Sequence, residues 1–389
     1  MQINPGGRLD IKDVIGRDDE IDRYWQVLER QGLIISAERR IGKTHFVLKM
    51  RDECRTGYLP YYQDLEAVHS IADLIRSIYG TVQQSSTTSS KVKAFIAKWS
   101  GWFPNRVAGI DLPKTDDTWK DLISNVFADL IQIAGDQRIV MLWDEFPLML
   151  HNLQRSMGPD SAMQLLDHLR AIRLAHADKM RFLFTGSIGL HLVLRSLHTA
   201  GHANQPVNDM MSLTVPPMAH RKTCELAKAL LEGTRANPAQ IPDLAELIAN
   251  EVGGFPYYVH HVVDQLDQMP HPPSLQDVSV AVDTLVYAPH DPANLGHYAA
   301  RMSTYYSDNE RSRALTVLDT IAGLASPIPV PELLNLCRYR EPSLSIEQFR
   351  DVLTILAEDH YIEPRKYNGL KTYDFRWQLG KRWWKETRL

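Results

Sequence analysis

Leu33-Ile34-Ile35-Ser36-Ala37-Glu38-Arg39-Arg40-Ile41-Gly42-Lys43-Thr44-His45-Phe46-Val47-Leu48-Lys49 is the stretch on which the fold turns. Leu33 to Ile35 is a short apolar run and reads as a buried strand. A polar turn follows, ends in Gly42-Lys43-Thr44, and passes into an amphipathic helix. Strand, turn, Gly-Lys-Thr and helix together form the setting of a phosphate-binding loop. In such a loop main-chain N–H groups wrap a β-phosphate and a helix N-terminus points at it. Arg39, Arg40, Ile41, Gly42, Lys43, Thr44 and His45 are therefore candidate nucleotide-binding residues. Lys43 would reach the β- and γ-phosphates as a point charge, and the Thr44 hydroxyl would ligate Mg²⁺. One position departs from the full pattern: Ala37 stands where the first glycine belongs. That matters only if the backbone there needs a positive φ or a very close approach.

Arg138-Ile139-Val140-Met141-Leu142-Trp143-Asp144-Glu145-Phe146-Pro147 is the second signal. Ile139 to Trp143 is a continuous apolar run, as a central strand of a parallel sheet requires. It ends in two adjacent carboxylates, which are costly beside a buried strand unless they have partners. Downstream of a phosphate loop the pairing has a chemical reason. Asp144 would support Mg²⁺, and Glu145 would orient and deprotonate an attacking water. Met180 to Phe184 is a further apolar strand, and it runs into Thr185-Gly186-Ser187. Ligands of open α/β sheets lie at the carboxyl ends of strands, so Thr185 and Ser187 are both placed to bond a γ-phosphate or a water. Simple turn chemistry explains the same residues, and spacing does not choose between the two hydroxyls.

Composition sets the outer bounds. The chain has 389 residues, 44% of them hydrophobic and 23% charged, enough for two or three domains with their own cores. A formal net charge of −4 argues against a chain that coats nucleic acid along its whole length. The three cysteines, Cys54, Cys224 and Cys337, form no C-x-x-C pair, so neither a disulfide framework nor a cysteine zinc site is expected. No His-x-x-x-His pair stands near carboxylates, and His260 and His261, being adjacent, face different sides of a helix. No apolar run approaches the roughly 20 residues of a membrane span. Met1 to Leu9 lacks an apolar signal core, and a reducing cytoplasm is the expected location.

The remaining chain supplies the frame. Asp18, Asp19 and Glu20 open a helix running to about Arg30. Tyr58 to Asp64 reads as a strand, with a helix over Ile71 to Tyr79 and another over Trp119 to Ile133. Between these helices, 83–113 reads as an insertion: a Gln/Ser/Thr tract, a short helix from Lys91 to Trp99, and an irregular piece or small hairpin. Trp99, Trp102 and Phe103 there are expected to pack as a small cluster rather than to form a stacking platform for bases. Leu165 to His176 is helical, Gly189 to Asp209 reads as a loop, and Met211 to Val215 as an edge strand. From Pro216 to Ala288 the pattern is all helical, broken at Gly253-Gly254-Phe255-Pro256. After a linker over Ala288 to Asn294 come helices over Arg311 to Ala325, Pro331 to Tyr339 and Ser345 to Asp359. Strands over Tyr361 to Lys366 and Lys371 to Gln378 flank a turn at Asn368-Gly369. Three helices and a hairpin are the order of a winged helix.

Ile15-Gly16-Arg17, Arg39-Arg40-Ile41-Gly42-Lys43-Thr44, Asp144-Glu145-Phe146-Pro147, Thr185-Gly186-Ser187 and Gly253-Gly254-Phe255-Pro256-Tyr257 occur in the order seen in archaeal-type ATPases. The chain resembles these proteins, in the STAND branch of P-loop NTPases close to AAA+ ATPases, over nearly its whole length. The resemblance implies an α/β parallel-sheet core over 1–215, a helical lid over 216–290 and a winged helix over 291–389. It implies ATP or ADP with Mg²⁺ as ligands. It also places Ile15, Gly16 and Arg17 near the base and Pro256 of the lid against the nucleotide. Such proteins act as ATP-hydrolysing switches; Arg170, Arg173, Arg181 and Arg195 are unranked arginine-finger candidates.

DNA reading is not favoured. A winged helix reads bases with its third helix, and here that helix carries Glu347, Asp351, Glu358 and Asp359 against one base, Arg350. Basic charge comes later, in Arg365, Lys366, Lys371, Arg376, Lys381, Arg382, Lys385 and Arg388, which fit phosphate contacts, a solvated face or internal contacts alike. Trp377, Trp383 and Trp384 are expected to pack the C-terminal helix. Besides the switch, the sequence admits a DNA-binding adaptor with structural nucleotide, or a non-hydrolysing protein scaffold. A protein partner or self-association is expected, and no membrane.

Overall fold

The computed structural model describes residues 1–7, 9–85 and 118–389, which divide into two compact units. The expected insertion and its aromatic cluster lie outside the described residues, apart from its first few positions. One unit comprises 17–37 and 43–215; the other comprises 1–16, 38–42 and 216–389.

The first unit is built on a five-stranded parallel sheet in the order β2-β3-β4-β1-β5. The strands are β1 (Gly32–Ser36), β2 (Tyr58–Asp64), β3 (Arg138–Asp144), β4 (Met180–Thr185) and β5 (Met210–Thr214). The helices are α1 (Asp18–Leu28), α2 (Lys43–Asp52), α3 (Ile71–Ser85), α4 (Thr118–Ala134), α5 (Phe146–Met157), α6 (Pro159–Ala175) and α7 (Leu190–Thr199). β3 and β4 are central, and every residue from Ile139 to Asp144 and from Met180 to Thr185 is buried. Apolar runs without alternation were the sign of this, because helices cover both faces of a parallel sheet. Register sets Asp64 beside Asp144 and Ile35 beside Thr185, so the polar ends of neighbouring strands come level.

Two local readings change, and one helix is new. The helix expected to stop near Tyr79 continues to Ser85, so the polar tract begins inside a helix. The stretch after Gly189, read as a loop, contains α7, whose Leu190, Val193 and Leu197 form one buried stripe. His191, Ser196 and His198 lie among its other positions, within a stretch whose His, Gly and Asn content reads as loop. Phe146-Pro147 opens α5 directly after β3, with Pro147 in the first turn where its missing N–H costs nothing.

In the second unit α8 (His220–Leu231), α9 (Ile241–Val252), α10 (Pro256–Asp267) and α11 (Leu275–Tyr287) form the helical lid. Gly254, at φ 88°, turns the chain between α9 and α10. A Cβ there would lie 2.4 Å from the Met218 carbonyl oxygen, so no other residue fits the turn. α12 (His297–Tyr305), not foreseen, precedes α13 (Asp308–Gly323), α14 (Val330–Arg340), α15 (Ile346–Glu358), the antiparallel pair β6 (Ile362–Tyr367) and β7 (Leu370–Phe375), and α16 (Gln378–Arg388). Capping boxes at Ser274, Ser307 and Ser345 start α11, α13 and α15. Asn368 and Gly369, both at positive φ, make the tight hairpin turn. Trp377 is buried against Phe255, Tyr258 and Tyr298 rather than along α16, while Trp384 packs on Phe375 and donates to Asp319.

An aromatic stack anchors β3 to β4. Phe146 and Phe184 lie 3.8 Å apart at 13°, and Trp143 stacks on Phe184 at 5.7 Å, all fully buried. Phe184→Ala is expected to destabilise the sheet unit by about 3–5 kcal/mol, read as a lowered calorimetric midpoint.

Candidate functional site

In the first unit the two sequence signals meet. β1 delivers Ala37, α2 begins at Lys43, and β3 ends at Asp144. Thr44 Oγ1 donates to Asp144 Oδ2 at 2.7 Å, and Lys43 Nζ donates to the Ala37 carbonyl at 2.9 Å. Ala37 is absent from the positive-φ residues, so its backbone suits any L-residue and alanine costs the loop no strain. Arg40 and Gly42 are the left-handed positions of the loop, at φ 67° and 93°. His45 follows Thr44 in the first turn of α2.

Asp144 is almost wholly buried, and burial pushes its carboxyl up to about 6, with Glu145 adding repulsion. The Thr44 hydroxyl and the Lys43 charge pull the other way without cancelling burial. Tyr62, on β2, lies against Asp144, and its phenol is pushed well up by burial first and that carboxylate second. Spacing alone gave no reason to single out Tyr62; only strand pairing brings it here. Glu145, at φ 55°, takes the N-cap position of α5. Its Oε2 accepts from both the Ser187 N–H, at 2.9 Å, and the Ser187 hydroxyl, at 2.8 Å. Thr185 is buried, and its Oγ1 has no hydrogen-bond partner among the described residues. The two hydroxyls thus differ: Ser187 holds the acid, and Thr185 keeps an unspent donor.

Oxygen donors from Thr44 and Asp144, one of them a buried carboxylate in need of positive charge, fit a hard divalent cation. Of the arginine candidates, Arg173 is held bidentately by Asp209 at 2.8 Å, and Arg181 donates to the carbonyl of Leu28 at 3.0 Å at the end of α1. Both are committed to structural bonds. Arg17 is buried and ion-paired with Glu20 at 3.2 Å.

The second unit contains Ile15, Gly16, Pro256 and the loop segment 38–42. Gly16 has φ 74°, and a Cβ would come within 3.0 Å of Lys222 Cβ, so glycine is required there. Pro256 opens α10. Within the loop segment Glu38 is 3% exposed and paired with Arg376 at 3.5 Å. The Arg39 carbonyl accepts from the Tyr298 hydroxyl, and the Arg40 guanidinium lies 4.2 Å from the Tyr257 ring centroid. Ile41 is buried. None of these partners was legible in the sequence, since each comes from a distant helix or from the end of β7.

No protein-family model and no curated protein matches the chain. Among solved structures it is similar to a Walker-type ATPase of Pyrococcus abyssi, with TM-score 0.68 and 13% identity, over 99% of this chain and 100% of that one. It is also similar to the Aeropyrum pernix ORC2 protein, solved with ADPNP and ADP, with TM-score 0.55 and 13% identity over 96% and 95%. The fold is that of an archaeal-type, AAA+-like P-loop ATPase. The expected AAA+-like core with helical lid and winged helix is thereby borne out as a fold. Among the described residues no helix is long and apolar enough to cross a membrane.

The raised Asp144 carboxyl has a stability consequence in the AAA+-like core. The folded protein holds this proton more tightly than the unfolded chain. Its contribution is therefore full below the ordinary aspartate value and is lost as pH rises through about 6. Asp144→Asn stays neutral and still accepts from Thr44. In metal- and nucleotide-free protein it is expected to be more stable than the parent at pH 8 by up to about 3 kcal/mol. The gap should close near pH 4; equal thermal midpoints at both pH values would refute the assignment.

Proposed function

We propose that this chain is an ATP-binding and ATP-hydrolysing switch. The observation that carries the reading is the convergence of Lys43, Thr44, Asp144, Glu145 and Ser187. Lys43 and the loop N–H groups hold the β- and γ-phosphates, while Ile15, Gly16 and Arg17 lie near the base and Pro256 meets the nucleotide. Thr44 and Asp144 hold Mg²⁺, which when bound neutralises charge on the phosphates. Glu145 accepts a proton from water as that water attacks the γ-phosphorus; the bond to the β-phosphate oxygen breaks and ADP leaves. Ser187 fixes Glu145 Oε2, leaving Oε1 to take the proton. Thr185 offers its unspent hydroxyl to the γ-phosphate.

The switch reading rests on the loop segment. Glu38, Arg39 and Arg40 touch Arg376, Tyr298 and Tyr257, which belong to the winged-helix and lid regions. A loop rearranged by nucleotide must therefore disturb those contacts. We take 1–215 as core, 216–290 as lid and 291–389 as winged helix, in a cytoplasmic protein of the STAND branch.

The output is a protein partner or self-association rather than DNA. Of the late basic residues, Arg365 and Lys381 bind Asp374, Arg382 binds Asp283, Arg388 binds Asp319 and Arg376 binds Glu38. Charge spent internally is not available to phosphates. No observation favours the adaptor or scaffold reading.

Lys43→Ala is expected to abolish ATP binding in calorimetric titration. Glu145→Gln should bind ATP with parental affinity and hydrolyse it about 10²–10⁴-fold more slowly; a parental rate removes Glu145 from the mechanism. Arg376→Ala removes the ion-pair partner of the buried Glu38, at a cost of up to roughly 3–5 kcal/mol, and should weaken ADP binding. Adding Glu38→Gln should recover most of the loss, and its failure to do so would show the pair is not the coupling.

A further inference from the structure

The lid carries a ligand cluster that the proposed nucleotide chemistry does not use. His220 and Cys224 stand one turn apart on α8 and share a face. Glu246 projects to them from α9. Cys224 Sγ lies 3.3 Å from Glu246 Oε2 and 3.7 Å from His220 Nδ1, and His220 Nε2 lies 3.5 Å from Glu246 Oε1. One ligand atom from each of the three fits within 4.8 Å of the others. Tetrahedral zinc, with bonds of about 2.0–2.3 Å, sets its ligands roughly 3.4–3.6 Å apart, so an ion would have to draw these atoms together only slightly. Asn250, one turn beyond Glu246, offers Oδ1 at 3.0 Å from His220 Nε2 as a further oxygen. The cluster is partly exposed, which leaves a path for an ion.

We propose that His220, Cys224 and Glu246 bind a single Zn²⁺-class cation that staples α8 to α9. A thiolate, an imidazole and a carboxylate form a mixed S/N/O set that suits zinc and not Mg²⁺. On binding, the Cys224 thiol gives its proton to solvent and the sulfur bonds the metal, with no change of oxidation state. Without a cation, the same thiol donates to Glu246. The staple acts near the first turn of α8, where Lys222 packs beside Gly16. The proposal does not depend on ATP hydrolysis. The sequence carries this pair as His220-x-x-x-Cys224, one helical turn apart, whereas Glu246 enters only through helix packing.

The test uses the full chain with Cys54→Ser, which removes the exposed competing thiol, stripped with chelator and titrated with Co²⁺. One equivalent should produce a thiolate-to-cobalt charge-transfer band with the visible bands of a tetrahedral ion, bleached by Zn²⁺ and not by Mg²⁺. Cys224→Ser should remove the charge-transfer band. His220→Ala and Glu246→Gln should each weaken binding about tenfold or more. Zn²⁺ should raise the thermal midpoint of the parent and not of Cys224→Ser, with circular dichroism confirming that each variant is folded. Absence of the band in folded parent protein, or its persistence in Cys224→Ser, would overturn the site.

Discussion

The hydroxyl of Thr44 donating to the buried carboxylate of Asp144 fixes where the phosphate-loop helix meets the central strand. Burial makes that carboxylate expensive as an anion. The core tolerates the cost because the strand carrying it is locked on both sides. β3 pairs with β2 and β4 along its length, and Trp143, Phe146 and Phe184 stack beneath its end. A rigid aromatic floor under a strained polar rim gives an acid pair of defined direction. The left-handed Glu145 then turns its side chain to Ser187. Under the proposed function a bound cation would offset the cost at Asp144, since a carboxylate satisfied by protein alone would have little to gain from a metal.

Ala37, Lys43 and Thr44 group with the sheet unit, whereas 38–42 groups with the helical one. The helical unit holds its share with three different interactions. These are a buried ion pair at Glu38, a main-chain hydrogen bond at Arg39 and a cation–π contact at Arg40. The left-handed backbone of Arg40 is uncommon for a residue with a Cβ, and persists where neighbours over-determine it. Arg376 also meets His360, at the end of the third winged-helix helix, so the contact reaches past the hairpin.

The winged-helix region has the order of a DNA reader and the chemistry of a structural module. Its third helix is acidic, with Arg350 paired to Glu347, and Asp359 turns inward to Tyr306 and Arg301. Arg365 of the hairpin and Lys381 of α16 converge on Asp374, and the arginines of α16 reach Asp283 and Asp319. Counting basic residues in this segment overstates the positive surface, because ion pairs consume much of it.

Local chemistry was enough to place the strand, turn and helix around Gly42-Lys43-Thr44, the buried strand with its acid pair, the helices that follow Ser307 and Ser345 though not their caps, and the Asn368-Gly369 turn. Each depends on burial period or backbone preference within a few residues, and such signals lie along the chain. It was also enough to flag Ala37, though only the backbone angle showed that alanine fits the loop without strain. α7 was lost because the His-, Gly- and Asn-rich stretch around it reads as a loop. The choice between Thr185 and Ser187, the presence of Tyr62 at Asp144, the grip of Arg376 on Glu38 and the meeting of Glu246 with His220 and Cys224 were decided by tertiary structure alone. Those contacts join residues from distant elements, and their energies depend on distance and burial in space, which no separation along the sequence encodes.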